Sequence, residues 1–214
     1  GSLDDDDLWF ETKLSKQVAA LEAEPSILAA ATGVALRTPE GGEHIRIPAK
    51  SRVTHADLLL GRQPDINCSN LLIRRKACEL AGMYDEDCSV EDYDLVLRIS
   101  AYSDIFVVRE PLIRQYRDRP LWQPERWRWM AQAREQLALR HPDLVASGKG
   151  ASVYCSKLAF AHAAAGQRRQ GARWLARSLR HGHVGRWTLM AVASLSHVPT
   201  RWLQVAVGRV GKSI

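Results

Sequence analysis

Residues 4–7 are four consecutive aspartates, set between Leu3 and the apolar Leu8-Trp9-Phe10. Carboxylates crowded into one small volume raise one another's pKa and favour protonation. No fold can therefore bury this run dry, and it must either sit in solvent or face a counter-charge. A solvated tail meets the first condition. So does a tag remnant following Gly1-Ser2, although tag cleavage sites place Lys after four Asp, where this chain has Leu8. A hard divalent cation meets the second condition. Mg²⁺ and Mn²⁺ prefer carboxylate oxygens, and a Mg²⁺ site usually joins one or two carboxylates to substrate phosphates. Leu3 can end a strand, which would set the acids at a strand's carboxyl end, where open α/β sheets bind ligands.

The periodicity that follows alternates between helix and strand. Trp9 to Ala23 reads as a helix, with Phe10, Leu14, Val18 and Leu21 at three- and four-residue spacing. Ser26 to Leu36 reads as a buried strand, residues 37–42 as a turn, and His44 to Ile47 as a short strand. Thr54 can cap a brief helix to Leu60, closed by Gly61. Asn67 to Ile73 reads as extended, and Arg74 to Ala81 as a helix stopped by Gly82. A helix over Glu91 to Tyr102 shows Leu95, Ile99 and Tyr102 on one face. Asp104 to Glu110 is a strand that Pro111 should interrupt before a second extended run, Leu112 to Arg117. This alternation is the α/β signature.

After Pro124 the pattern becomes wholly helical. Helices are expected over Glu125 to Leu139, Ser152 to Ala165, Gln170 to His181, Trp187 to His197 and Thr200 to Val210. The second and third form an αα-hairpin around Gly166, with Ala159, Ala163, Ala172 and Ala176 expected on the contact face. The predicted fold class is thus α/β, a mixed sheet flanked by helices over residues 1–120, followed by an all-α extension over 121–214.

Charge divides along the same line. The chain carries +6 overall, yet residues 144–214 hold eleven Lys and Arg and no Asp or Glu, which leaves the first 143 at −5. A basic extension of this kind suits an anionic partner such as phospholipid headgroups, and Trp187, Arg201 and Trp202 mix aromatic and basic groups as interfacial helices do. No apolar run approaches the roughly 18 residues of a spanning helix. The four cysteines, Cys68, Cys78, Cys88 and Cys155, lack metal-site spacing and read as reduced thiols in a cytosolic protein, serving as small apolar side chains. His44, His55 and His162 read as ordinary surface or packing residues.

A second acidic cluster runs from Asp85-Glu86-Asp87 to Glu91-Asp92-Tyr93-Asp94, at a loop-to-helix junction. A carboxylate there can cap the helix, or it can serve as general base toward a hydroxyl. Taken in order, four segments resemble the family 2 glycosyltransferases, inverting nucleotide-sugar enzymes of the GT-A fold. Leu3 to Trp9 with Lys13, Leu14 and Gln17 is similar to the DxD segment and its following helix. Asn67 to Arg75 is similar to the acceptor-side strand, and Ala81 to Glu86 to the glycine–aromatic–Asp–Glu turn. Glu91 to Leu95 resembles the ED motif, with Glu110-Pro111-Leu112 and Tyr116-Arg117 as the closing strand. The resemblance covers about residues 3 to 119.

What the resemblance implies is sugar transfer with inversion to a glycan or lipid-linked acceptor, in cell-envelope polysaccharide synthesis at the cytoplasmic face of a membrane. Asp6, with Asp4, would hold Mn²⁺ or Mg²⁺. Asp4, Asp5 and Arg119 would face the donor nucleotide and diphosphate, while Asp5 and Asp7 set the local field. Asp92 would be the general base, beside Glu91, and Asn67 and Ser69 would line the acceptor pocket. In the family βαβ units precede the DxD and supply the nucleotide-base pocket, so this chain is expected to be the carboxyl-terminal part of such an enzyme. Arg119 stands where the family often has a metal-completing His; Arg cannot ligate a metal but can hold diphosphate. Two other readings remain open at this level: a basic helical module for anionic lipid or nucleic acid, and another metal-dependent nucleotidyl or phosphoryl transferase, which would lack a Gly-rich phosphate loop.

Overall fold

A computed structural model describes residues 1–37, 42–61, 66–116 and 124–196, together with residues 198 and 202. It is an α/β structure with a six-stranded mixed sheet and, among the described residues, eight α-helices. The chain forms two compact units, one of residues 1–58 and 62–119, the other of residues 59–61 and 120–214.

The first unit holds the sheet. Its elements are β1 (Leu8–Trp9), α1 (Lys13–Ala23), β2 (Ala29–Arg37), β3 (Glu43–Arg46), β4 (Arg52–Val53), the start of α2 (His55–Leu59), β5 (Leu72–Ile73), α3 (Arg75–Ala81), α4 (Glu91–Ser100) and β6 (Ile105–Tyr116). β2 and β6 run parallel at its centre. β1 and β4 pair antiparallel with β6, while β3 and β5 pair antiparallel with β2. Eight of the nine residues of β2 are buried. Such a continuous apolar run suits a strand covered on both faces.

Four differences from the sequence expectation have physical causes. Leu3 is exposed and lies outside any strand; the strand β1 follows the Asp run instead of preceding it. Trp9 and Phe10 are extended, because Trp9 pairs with Ile113 and the Phe10 N–H donates to the Leu112 carbonyl (3.0 Å), so the helix starts only at Lys13. Asn67 to Ile73 is not one extended piece. Asn67 and Asn70 form a reciprocal capping box that winds Cys68–Asn70 into a 3₁₀ turn before β5. Finally, β6 runs through Pro111 without a break. Its register against β2 shifts at Gly33, which stands opposite Pro111, so the proline falls at a bulge, a position where a missing ladder donor is tolerated.

The second unit is helical, with α5 (Pro124–Arg140), α6 (Gly148–Ala164), α7 (Arg168–Arg180) and α8 (Arg186–Leu195). Trp127, Phe160 and Trp187 form its aromatic centre; Trp127 meets Phe160 edge-on at 5.0 Å between centroids. α6 and α7 form the expected hairpin around Gly166 (φ +79°). The contact face differs in part. Ala159 and Ala163 are buried, but Ala172 and Ala176 are exposed, and α7 packs through Gly171 and Ser178. A Cβ at Gly171 would lie 3.0 Å from the Ala159 carbonyl oxygen, so a glycine permits this approach. The expected helix over 200–210 lies outside the described residues, save Trp202. No helix among the described residues is long and apolar enough to cross a membrane.

Candidate functional site

The site lies within the first unit, where the Asp run, the Asn67–Asn70 turn and the start of α4 converge. Asp4 to Asp7 form a turn closed by the Asp7 N–H on the Asp4 carbonyl (3.2 Å). Ser69, fully buried, ties both ends of it. Its hydroxyl oxygen accepts from the Asp4 N–H (3.1 Å), and the hydroxyl lies close enough to the Asp7 carboxylate to favour its charged form. The Trp9 indole N–H donates to the Ser69 carbonyl (2.7 Å), which fixes the turn onto β1.

The acids of the run differ in setting. Asp4, Asp5 and Asp6 are exposed, and Asp7 is half-buried. Burial pushes the Asp7 carboxyl above its usual pKa; bonds from Ser69 and Gln115 oppose this, and the Asp4 and Asp6 charges add to it. Gln115, from β6, donates to Asp7 Oδ2 at 2.9 Å. Asp5 and Asp6 make no hydrogen bond or ion pair to any described residue.

Cys68 joins the two acidic clusters. Its thiol donates to Asp4 Oδ1 (2.9 Å), and its backbone N–H lies close enough to the Asp92 carboxylate to favour that group's charged form. Burial first, then Asp4 and Asp92, push the thiol up to about 12. This cysteine is thus a polar linker, in contrast to the apolar filler expected from composition. Cys68, Cys78, Cys88 and Cys155 are all free thiols.

Asp92 sits in the first turn of α4 but does not cap it; the N-cap is Val90, with no side-chain cap bond. Its Oδ1 is buried with no hydrogen-bond partner among the described residues. Burial, then the Glu91 and Asp4 charges, push its carboxyl up to about 6, against the lowering effect of the Cys68 N–H. Tyr84 is adjacent, its phenol driven well above the usual range by burial and by Asp92. Glu91 itself is exposed.

Two supports hold this arrangement. Lys13 and Gln17 are fully buried on the inner face of α1 with Leu21, while Leu14 and Val18 of the expected apolar stripe are each 42% exposed. Gln17 Nε2 donates to the carbonyls of Ala30 (2.7 Å) and Asn70 (2.9 Å), and its Oε1 accepts from Lys13 Nζ (2.8 Å). Lys13 Nζ lies 4.0 Å over the Trp9 ring, and burial lowers its pKa to about 8. These bonds fasten the Asp run and the Asn67 turn to β2. On α4, Asp94 holds Arg98 (2.7 Å), which donates to the carbonyls of Ala81 and Met83 (2.9 Å for Met83) and so clamps the Gly82–Tyr84 turn.

Of the residues singled out in the sequence, Asp4, Asn67, Ser69 and Asp92 are therefore brought together, with Asp5, Asp6 and Glu91 exposed beside them. Asn67 is occupied by its capping bond to the Asn70 N–H (3.1 Å). Arg119 lies outside the described residues. Cys68, Asp7, Tyr84 and Gln115 were not anticipated in these roles. The Asp94–Arg98 pair carries an i,i+4 signal, whereas Gln115 left no local signal.

The donor set is chemically suited to a hard cation. It offers carboxylate oxygens, and both charged groups acting on Asp92 are acids. No group of three or more His, Cys, Asp or Glu gathers as a metal cage among the described residues. An ion also held by phosphate oxygens needs only one or two protein carboxylates. The chain matches no protein-family model and no curated protein.

Proposed function

We propose that the chain carries the acceptor-activating and diphosphate-facing part of an inverting, nucleotide-sugar-dependent glycosyltransferase resembling family 2. The observation that carries this reading is Asp92, whose buried, unpartnered carboxylate oxygen lies in the cluster that also holds Asp4. A carboxylate raised to about 6 is ionised at neutral pH yet basic enough to take a proton in a transition state. Asp92 removes the proton from the acceptor hydroxyl as that oxygen attacks the anomeric carbon. The new carbon–oxygen bond forms on the face opposite the breaking bond to the diphosphate, and the configuration inverts. Mn²⁺ or Mg²⁺ held by Asp6 and Asp4 would neutralise charge on the departing nucleoside diphosphate. Asp5 and Arg119 would bind the donor diphosphate in this reading. Ser69 positions the Asp run, and Asn67 shapes the turn beside the acceptor. The acceptor is a glycan or lipid-linked sugar of the cell envelope, met at the cytoplasmic face of a membrane that the basic helices contact peripherally.

The test uses the product of the whole reading frame, with nucleoside diphosphate release from nucleotide sugars as readout. Asp92→Asn should lower turnover by roughly 10²–10⁴-fold, with Mn²⁺-dependent binding of uridine or guanosine diphosphate retained. Normal turnover in that variant would sink the assignment.

A further inference from the structure

The helical unit contains a cleft of about 180 Å³ whose polar lining includes Ser156, Lys157, His183, Arg186 and Thr188, with Trp187 as an apolar wall. No acid is among its lining residues. Lys157 reaches in from α6, and its ammonium makes no hydrogen bond or ion pair to any described residue. It lies 5.7 Å from the Trp187 ring centroid, as does the Arg186 guanidinium carbon. Burial, then the Arg134 and Arg186 charges, lower the Lys157 pKa to about 8. The Arg134 and Arg186 charges both disfavour this ammonium, and an anion in the cleft would offset them.

Glu135 of α5 is engaged by other partners. Glu135 Oε1 accepts from the Trp174 indole (2.9 Å) and lies 3.0 Å from His162 Nε2. The start of α8 also opens on the cleft, through Gly185 and Arg186. Its first turn adds the positive end of a ten-residue helix. Ser156 and Thr188 share a hydrogen bond (2.8 Å) at the wall. The volume falls below the about 300–1,000 Å³ of sites that enclose drug-sized ligands. It suits a compact anion.

We propose that this cleft is a phosphate-binding site, taking either a free phosphate or diphosphate or the phosphate of a lipid headgroup, with Lys157 and Arg186 as its charged ligands. The proposal does not rest on the glycosyl-transfer reading. Two arms distinguish the sources. In the first, the whole chain is titrated calorimetrically with sodium pyrophosphate at constant ionic strength. In the second, it is sedimented with phosphatidylcholine vesicles containing phosphatidic acid. Saturable binding in either arm should weaken about tenfold or more in Lys157→Gln and in Arg186→Gln, as expected for loss of a charge-assisted bond. Circular dichroism checks that each variant keeps its helices. Binding to pyrophosphate assigns the site to a soluble phosphate; Lys157-dependent binding to vesicles alone assigns it to a headgroup. No binding in either arm, or binding that Lys157→Gln leaves unchanged, overturns the proposal.

Discussion

Asp92 shows how a site residue can cost stability. Its carboxyl has a folded pKa of about 6, above the ordinary 3.8. The fold therefore favours its neutral form. That contribution is complete below the unfolded-state pKa and is lost as pH rises through about 6. Above that, the fold holds a poorly solvated charge. Asparagine cannot ionise, so Asp92→Asn should match the native protein near pH 4 and exceed it at pH 8. The gap, discounted for partial exposure, is about 1–2 kcal/mol. Urea unfolding at the two pH values in metal-free buffer measures it. An equal difference at both would show that the carboxyl is not perturbed. The same variant is the one expected to lose turnover, a trade between stability and activity common at functional sites.

At the scale of elements, Gly33 is a point of close approach between β2, β3 and β6. A Cβ there would lie 2.9 Å from the Arg46 carbonyl oxygen and 3.0 Å from that of Glu110. Both are backbone atoms of strands, with no flexible end to give way. Gly33→Ala should destabilise the sheet unit by roughly 1–3 kcal/mol, seen as a lower denaturation midpoint; an unchanged midpoint would show that the bulge at Pro111 relaxes freely. That bulge also marks where sequence reading reached its limit. Proline forecast a break in the strand, and only the pairing across Gly33 shows how the ladder absorbs it. Elements with strong local chemistry, such as the buried run of β2, Gly82 after α3 and the hairpin at Gly166, were legible. The inner face of α1 was not, because Lys13 and Gln17 are buried for their bonds to Trp9, Ala30 and Asn70, distant in sequence or hidden from a hydropathy pattern. Likewise Asp4 and Asp92 could be named from their motifs. Their connection through Cys68 depends on a capped turn between Asn67 and Asn70 that periodicity cannot resolve.

For the whole molecule, the dominant long-range property is the charge division, −5 before Leu144 and +11 from there on. In the helical unit much of that charge stands on α7. Arg169, Arg173 and Arg180 are exposed on it, while Arg177 is anchored to the Val145 carbonyl (3.1 Å). A surface of this sign attracts an anionic bilayer by about 1 kcal/mol per basic residue near the interface. The attraction fades over a screening length of about 8–10 Å at physiological salt. The intact chain should therefore bind vesicles rich in phosphatidylglycerol at low ionic strength and leave them as salt rises. Replacing Arg169, Arg173 and Arg180 together by Gln should weaken that binding by roughly 10²-fold while leaving nucleoside diphosphate release from the nucleotide sugar, assayed with a soluble acceptor, unchanged. Vesicle flotation at two salt concentrations measures the effect. Salt-independent binding, or full binding by the triple variant, would show that the α7 charges do not drive vesicle binding.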